Sequence, residues 1–246
     1  MKASVVVSYC SLDKRFLSPL LDQVSIFSDD VIVVYYDKLL NGTPEPVDEI
    51  ESMVRSKNAK TLPLLYTADN SPRHFHNLAR WVGTQHTKYD HVLFLDADEI
   101  PEGDVVKALL DNDMLAEYDA ADFGCHWYFR STTHQAVQKE ECGLLIRKDV
   151  IRKELMFTEM ERWSFRYTKG LKYVPRVQTQ HGPFMHHYSW ARTKEEMLTK
   201  VSAWGHKSDK DWASLIHEEF SRDFNGKDFV HGYSYTEVPD KFSIGI

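Results

Sequence analysis

The apolar positions in the first hundred residues form short unbroken runs separated by amphipathic stretches. Residues 3–10 (ASVVVSYC), 29–37 (DDVIVVYYD), 61–69 (TLPLLYTAD) and 91–96 (HVLFLD) are rich in Val, Ile and Leu, which predicts strands buried on both faces. Between them, residues 17–27, 48–57 and 71–86 place apolar side chains three and four apart and predict helices. Ser71 and Pro72 supply a cap and a first-turn proline for the third. Strand–helix–strand at this rhythm predicts a parallel sheet sandwiched by helices.

Beyond residue 105 the pattern loosens. Residues 104–117 predict a helix, 121–132 a strand, and 142–152 a strand followed by a turn. Residues 171–182 and 184–190 predict further short strands. Residues 193–207 predict a helix with Met197, Val201 and Trp204 on one face and lysines opposite. No Gly/Ser/Pro linker divides the chain. The expectation is one α/β domain over 1–246, with residues 1–105 built like a nucleotide-binding fold and residues 106–246 irregular and aromatic-rich.

Composition narrows the class. The chain is 42% hydrophobic and 27% charged with a net charge of -7, which is globular and argues against a nucleic-acid partner. No segment approaches the ~20 apolar residues of a membrane span, and residues 1–16 lack the apolar core of a signal peptide. Three cysteines at unrelated spacings, Cys10, Cys125 and Cys142, form neither a disulfide framework nor a zinc motif. A soluble, cytoplasmic protein is expected; nothing fixes its oligomeric state.

In open α/β sheets ligands sit beyond the carboxyl ends of the strands. Ser8 and Tyr9 follow the first strand, Asp37 the second, Asp69 the third, and Asp96, Asp98 and Glu99 the fourth. Carboxylates gathered at one edge repel unless a cation or a donor-rich ligand compensates them. Oxygen ligands suit Mg²⁺ or Mn²⁺ completed by substrate phosphates.

The stretch VLFLDADE, residues 92–99, resembles the element of GT-A fold glycosyltransferases, family 2-like members in particular, in which an apolar strand ends on D-x-D. The likeness extends to VVVSYCSL and VIVVYYD upstream and to the HHYSWAR segment, residues 186–192, where Ser189 stands in place of a glycine. The resemblance implies a Rossmann-like, mixed but mostly parallel sheet flanked by helices. It implies Asp96 and Asp98 holding Mn²⁺ (or Mg²⁺) and the diphosphate of a nucleotide sugar, most simply UDP-linked, with Asp37 on the base. His187 is the implied third metal ligand, with His181 and His186 as alternatives. Arg73, Arg80, Asn77, Lys200 and His206 fall where phosphate or nucleoside contacts would lie, although His76 replaces the arginine usually paired with Asn77. The acceptor-side segment, residues 157–175, lacks the familiar Glu-Asp pair and leaves Glu159 or Glu161 as the base that deprotonates an acceptor hydroxyl. Trp127 and Trp163 are candidates for stacking on sugar.

The activity implied is transfer of a sugar from a nucleotide sugar to a hydroxyl of a glycan or other acceptor. The competing readings are a nucleotide-sugar or carbohydrate binder without turnover, and a D-x-D phosphotransferase. The latter type carries its motif near the N-terminus, whereas here three strands precede it.

Overall fold

The computed structural model describes residues 1–68, 71–203, 205 and 209–245. The strands are β1 Ala3–Tyr9, β2 Val31–Tyr36, β3 Lys60–Leu64, β4 His91–Asp96, β5 Glu99–Pro101, β6 Ala120–Phe129, β7 His134–Arg147, β8 Tyr173–Val177, β9 Met185–Trp190 and β10 Tyr235–Glu237. The helices are α1 Lys14–Val24, α2 Val47–Ser56, α3 Pro72–Gln85, α4 Gly103–Asp111, α5 Lys153–Met156, α6 Lys194–Ser202 and α7 Trp212–Glu219, and Glu161–Tyr167 forms a 3₁₀ segment.

All ten strands join one sheet in the order β3-β2-β1-β4-β7-β6-β9-β5, with β8 on β6 and β10 on β7. The pairs among β3, β2, β1 and β4 are parallel, and β6 runs parallel to β8 and β9. Antiparallel pairing of β7 with β4 and β6 joins these two parallel groups. The strand-by-strand alternation of β1 explains the unbroken apolar run. Val5 and Val7 face a core closed by α1 and α4, while Val6 faces a second core under α3, shared with Ile32, Val34 and Phe94. A third cluster joins Trp127, Phe129 and Trp190 to Met197, Trp212 and Ile216 from α6 and α7.

Several expectations are corrected. Helix α4 ends at Asp111, not 117; β7 extends back to His134; α7 and β10 have no counterpart in the sequence pattern. Pro101 ends β5 opposite Met185, on the sheet's last strand, where a proline's missing N–H is tolerated. Lys200 is not on a solvated face: with Met197 and Val201 it is buried. No helix among the described residues is long and apolar enough to cross a membrane.

Candidate active site

The site grows from the register of the parallel pair β1–β4, which sets Ser8 beside Asp96 at the carboxyl edge. The chain then turns tightly. Asp96 donates its N–H to Glu99 Oε2 at 2.9 Å, and Ala97 donates to the Ser8 carbonyl at 3.0 Å. The turn delivers the chain into β5, whose Glu99 pairs with His187 of β9, and His187 in turn pairs with Trp127 of β6. Segments ninety residues apart thus line one cavity of about 530 Å³.

Its walls carry Ser8, Tyr9, Asp96, Asp98, His187 and Lys200, with Arg73 and Arg80 from α3, and Glu159, Glu161, Arg162 and Trp163 from the loop before and within the 3₁₀ segment. Four expected residues are not on the wall. Asp37 turns its carboxylate to the Tyr66 N–H at 2.7 Å. Asn77, 2% exposed, donates to the Thr158 carbonyl at 3.3 Å and so holds the loop rather than facing the cavity. His181 is exposed beside Gln180. His186 points to the opposite face of β9, bonded to Tyr128 Oη at 2.7 Å and to Glu102 Oε1 at 3.2 Å, as alternation along a strand requires. Asp69, His206 and Trp204 lie outside the described residues.

The floor is a lattice of opposite charges. Asp96 Oδ1 accepts from Arg80 at 3.0 Å and its Oδ2 lies 3.5 Å from Arg162. Arg162 also grips the fully buried Glu99 with both terminal nitrogens, one at 3.0 Å. Asp98 faces Lys200 at 3.2 Å, Arg192 at 3.5 Å and His187 Nε2 at 3.5 Å. Burial pushes the Asp98 carboxyl up, but Lys200, His187 and Arg192 together hold it well below the usual carboxylate range. Burial likewise opposes charge on His187, yet its hydrogen bonds with Asp98 and Cys125 push the imidazole up to about 10. Arg192 is 1% exposed; it also pairs with Asp13 and donates to the Ser189 carbonyl at 2.9 Å, tying β9 to the turn after β1.

The two glutamates expected near the acceptor both hold arginines. Glu161 accepts from Arg80 at 2.6 Å and lies 3.6 Å from His76; against the effect of burial, His76 and Arg80 keep its carboxyl well below the usual range. Glu159 is exposed and paired with Arg73.

This donor set does not fit a resident divalent cation. Asp98 Oδ2 faces the Lys200 ammonium and the Arg192 guanidinium, its Oδ1 is taken by the His187 ring, and both oxygens of Asp96 face guanidinium groups. Among the described residues no three His, Cys, Asp or Glu side chains form a group that could hold a metal ion.

The sequence reading missed Arg162, Arg192, Glu45 and His231. Arg192 stands within the HHYSWAR segment and was legible there. Glu45, 8% exposed and accepting the Ser11 N–H at 3.0 Å, sits in a loop with no periodic signal. Nor does any pattern mark His231, which lies far beyond the HHYSWAR segment.

No family model and no curated protein matches the chain. Among solved structures it is similar to residues 1–349 of TarS from S. aureus in complex with UDP, at 16% identity and a TM-score of 0.52, over 91% of this chain and 73% of that one. Weaker likenesses are to the glycosyltransferase GlyE of Streptococcus pneumoniae TIGR4 (15% identity, TM-score 0.44, 90% of this chain and 64% of that one) and to CMP:2-keto-3-deoxy-manno-octonic acid synthetase complexed with CTP (12%, 0.48, 82% and 98%). At these identities the likeness is one of fold. The chain has the architecture expected from its sequence, a Rossmann-like, mostly parallel GT-A sheet flanked by helices.

Proposed function

We propose that this protein is a glycosyltransferase that binds a nucleoside diphosphate sugar, most simply a UDP-sugar, and transfers the sugar to a hydroxyl of a glycan or other acceptor. The observation that carries the reading is the cavity at the carboxyl ends of β1, β2 and β4, with two kinds of wall. One is apolar and aromatic, from Val34, Tyr36, Leu39, Leu40, Phe75 and Ala79, and suits a nucleoside. The other is the cationic floor of Arg80, Arg162 and Lys200, which suits a diphosphate. At their junction the Ser8 hydroxyl is buried and has no hydrogen-bond partner among the described residues, a group waiting for a ligand atom.

Mn²⁺ held by Asp96, Asp98 and His187 is not carried into this reading. Charge compensation is assigned to the chain's own cations, which exchange carboxylate partners for diphosphate oxygens. Held in a low-dielectric floor, they stabilise the negative charge that grows on the leaving diphosphate. The direct test is a thermal-shift screen with UDP-, GDP-, dTDP- and CMP-sugars, each with Mn²⁺ and with chelator. One donor class should raise the melting temperature, as a ligand specific for the native state must, and the rise should survive chelation. Equal silence from all four sinks the reading; a rise seen only with Mn²⁺ returns the metal to Asp98.

A second reading, a nucleotide-sugar binder without turnover, draws on one observation: Glu159 and Glu161 are both tied to arginines. Release of nucleoside diphosphate from the donor separates the two readings: turnover supports the transferase, and donor binding without release supports the binder.

A further inference from the structure

If the site transfers a sugar with inversion, something on its wall must take the proton of the incoming hydroxyl. The titratable side chains on that wall are, with few exceptions, already engaged. Asp96, Asp98, Glu159 and Glu161 each hold a cation, Asp13 holds Arg192, and His187 and His76 are paired with Asp98 and Glu161. Glu45 accepts the Ser11 N–H. Burial, with nearby acids adding to it, pushes Tyr9 and Cys10 up, so neither is a ready acceptor at neutral pH.

His231 differs. It lies on the cavity wall, accessible, and among the described residues neither ring nitrogen has a hydrogen-bond or ion-pair partner. Its neighbours are rings: Trp127 edge-on at 4.8 Å and Tyr233 stacked at 4.9 Å, and Trp127 in turn meets His187 at 4.7 Å. The loop that carries it is built to hold that position. The Asp228 carboxylate, 5% exposed, accepts the backbone N–H groups of Val230, His231, Gly232 and Tyr233 and the hydroxyl of Tyr235. Gly232, at φ +75°, allows the left-handed turn that follows His231. These five hydrogen bonds onto one carboxylate fix the backbone that carries the ring.

We propose that His231 is the general base of the transfer, a role that rests on the glycosyltransferase reading above. The acceptor oxygen attacks the anomeric carbon and its proton passes to the free imidazole nitrogen. The bond from the anomeric carbon to the phosphate oxygen breaks, and its electron pair leaves on the nucleoside diphosphate. The charged groups facing the ring are Asp228 from its own loop, Glu140 from β7, Lys210 before α7 and His187 from β9. Partial burial, assisted by Lys210 and His187, outweighs the two acids and draws the imidazole below its ordinary value, so it is neutral and able to accept at pH 7.

The test measures nucleoside diphosphate release from the donor that gives the thermal shift, with water as acceptor, for the parent, His231→Ala, His231→Gln, Glu159→Gln and Glu161→Gln. For both His231 variants, kcat should fall by about 10²-fold or more while the donor-induced rise in melting temperature is kept. The acid limb of the parent's kcat/KM profile should vanish with His231, and imidazole added to His231→Ala should restore part of the rate. A His231→Ala enzyme within threefold of the parent, or an acid limb lost in Glu159→Gln or Glu161→Gln but kept in His231→Ala, overturns the proposal and leaves the transferase reading standing. A parent that neither binds nor cleaves any donor overturns both.

Discussion

Asp98 and Glu99 are consecutive carboxylates, both buried, yet they hold different cations: Asp98 faces Lys200, Arg192 and His187 at the cavity, and Glu99 is locked to Arg162 behind it. The acid cluster was legible at a strand end, because a parallel sheet collects its strand ends at one edge, whereas the distant histidine came from the likeness of the HHYSWAR segment. Neither could apportion the cations, since arginines on α3 and on the 3₁₀ segment reach the floor through long side chains. Lys200 was within reach of spacing alone: three residues past Met197, it falls on the same side of the helix. At this scale Arg162→Met should cost about 3–5 kcal/mol, because it strands Glu99 uncompensated in the core, and adding Glu99→Met should recover part of that loss. Urea midpoints of the two single variants and the double check this. On the opposite face the hydrogen bond from His186, reinforced by Lys241, draws the Glu102 carboxyl down to about 2. A carboxyl lower in the folded chain than in the unfolded one stabilises above the unfolded value of about 4.3 and loses that contribution as pH falls through the folded one. Stability should therefore decline between pH 5 and 2, with a shallower slope in Glu102→Gln; an unchanged slope would remove Glu102 from the account.

At the scale of elements, α3 was the most legible, with Ser71 accepting the His74 N–H and Pro72 at its first position. Its fit on the sheet rests on Gly83, where an added Cβ would come within 2.5 Å of Val6 Cγ1. Gly83→Ala should lower stability by about 1–3 kcal/mol by pushing the helix off β1. Because the same helix carries Arg73, His76 and Arg80, donor affinity should weaken as well. A variant as stable as the parent would show that the helix has room to shift. On α6 the reciprocal capping pair Thr193–Glu196 orders the turn that leads to Lys200, and Thr193→Ala should cost about 1 kcal/mol in thermal or urea unfolding. The elements that escaped the sequence have physical reasons to do so. The first half of β7 carries Gln138, Lys139, Glu140 and Glu141, polar residues that pair across to β6 through a bulged register and give no clean alternation. Strand β10 is three residues long, with two of them exposed.

Taken whole, the molecule couples a deeply covered parallel half to a thinner outer cluster. Strands β1 and β4 have neighbours on both sides and cores on both faces, whereas residues 224–235 lean on the ring cluster around Trp127, Phe129 and Trp190. Hydrogen exchange should follow that division, with amides of β1 and β4 released only by global unfolding and those of β10 and its loop released earlier. Uniform protection across both would contradict it. The halves were readable as one α/β plan, but the return of the C-terminal segment to the cavity depends on the packing of Phe224, Phe229 and Tyr235 on Phe129 of β6, which has no period to detect.

The ladder between β5 and β9 has a last consequence, one for inheritance rather than for chemistry. Glu99, Ile100 and Pro101 stand opposite His187, His186 and Met185, and successive side chains of β9 go to opposite faces. Deleting or inserting a single residue in the short approach to this strand leaves the composition and the apolar pattern almost untouched. It nevertheless exchanges the two adjacent histidines, sending the partner of Tyr128 into the cavity and the partner of Asp98 out of it. Length, not residue identity, is what this stretch must conserve, and a library of substitutions there should be tolerated far better than a library of one-codon insertions.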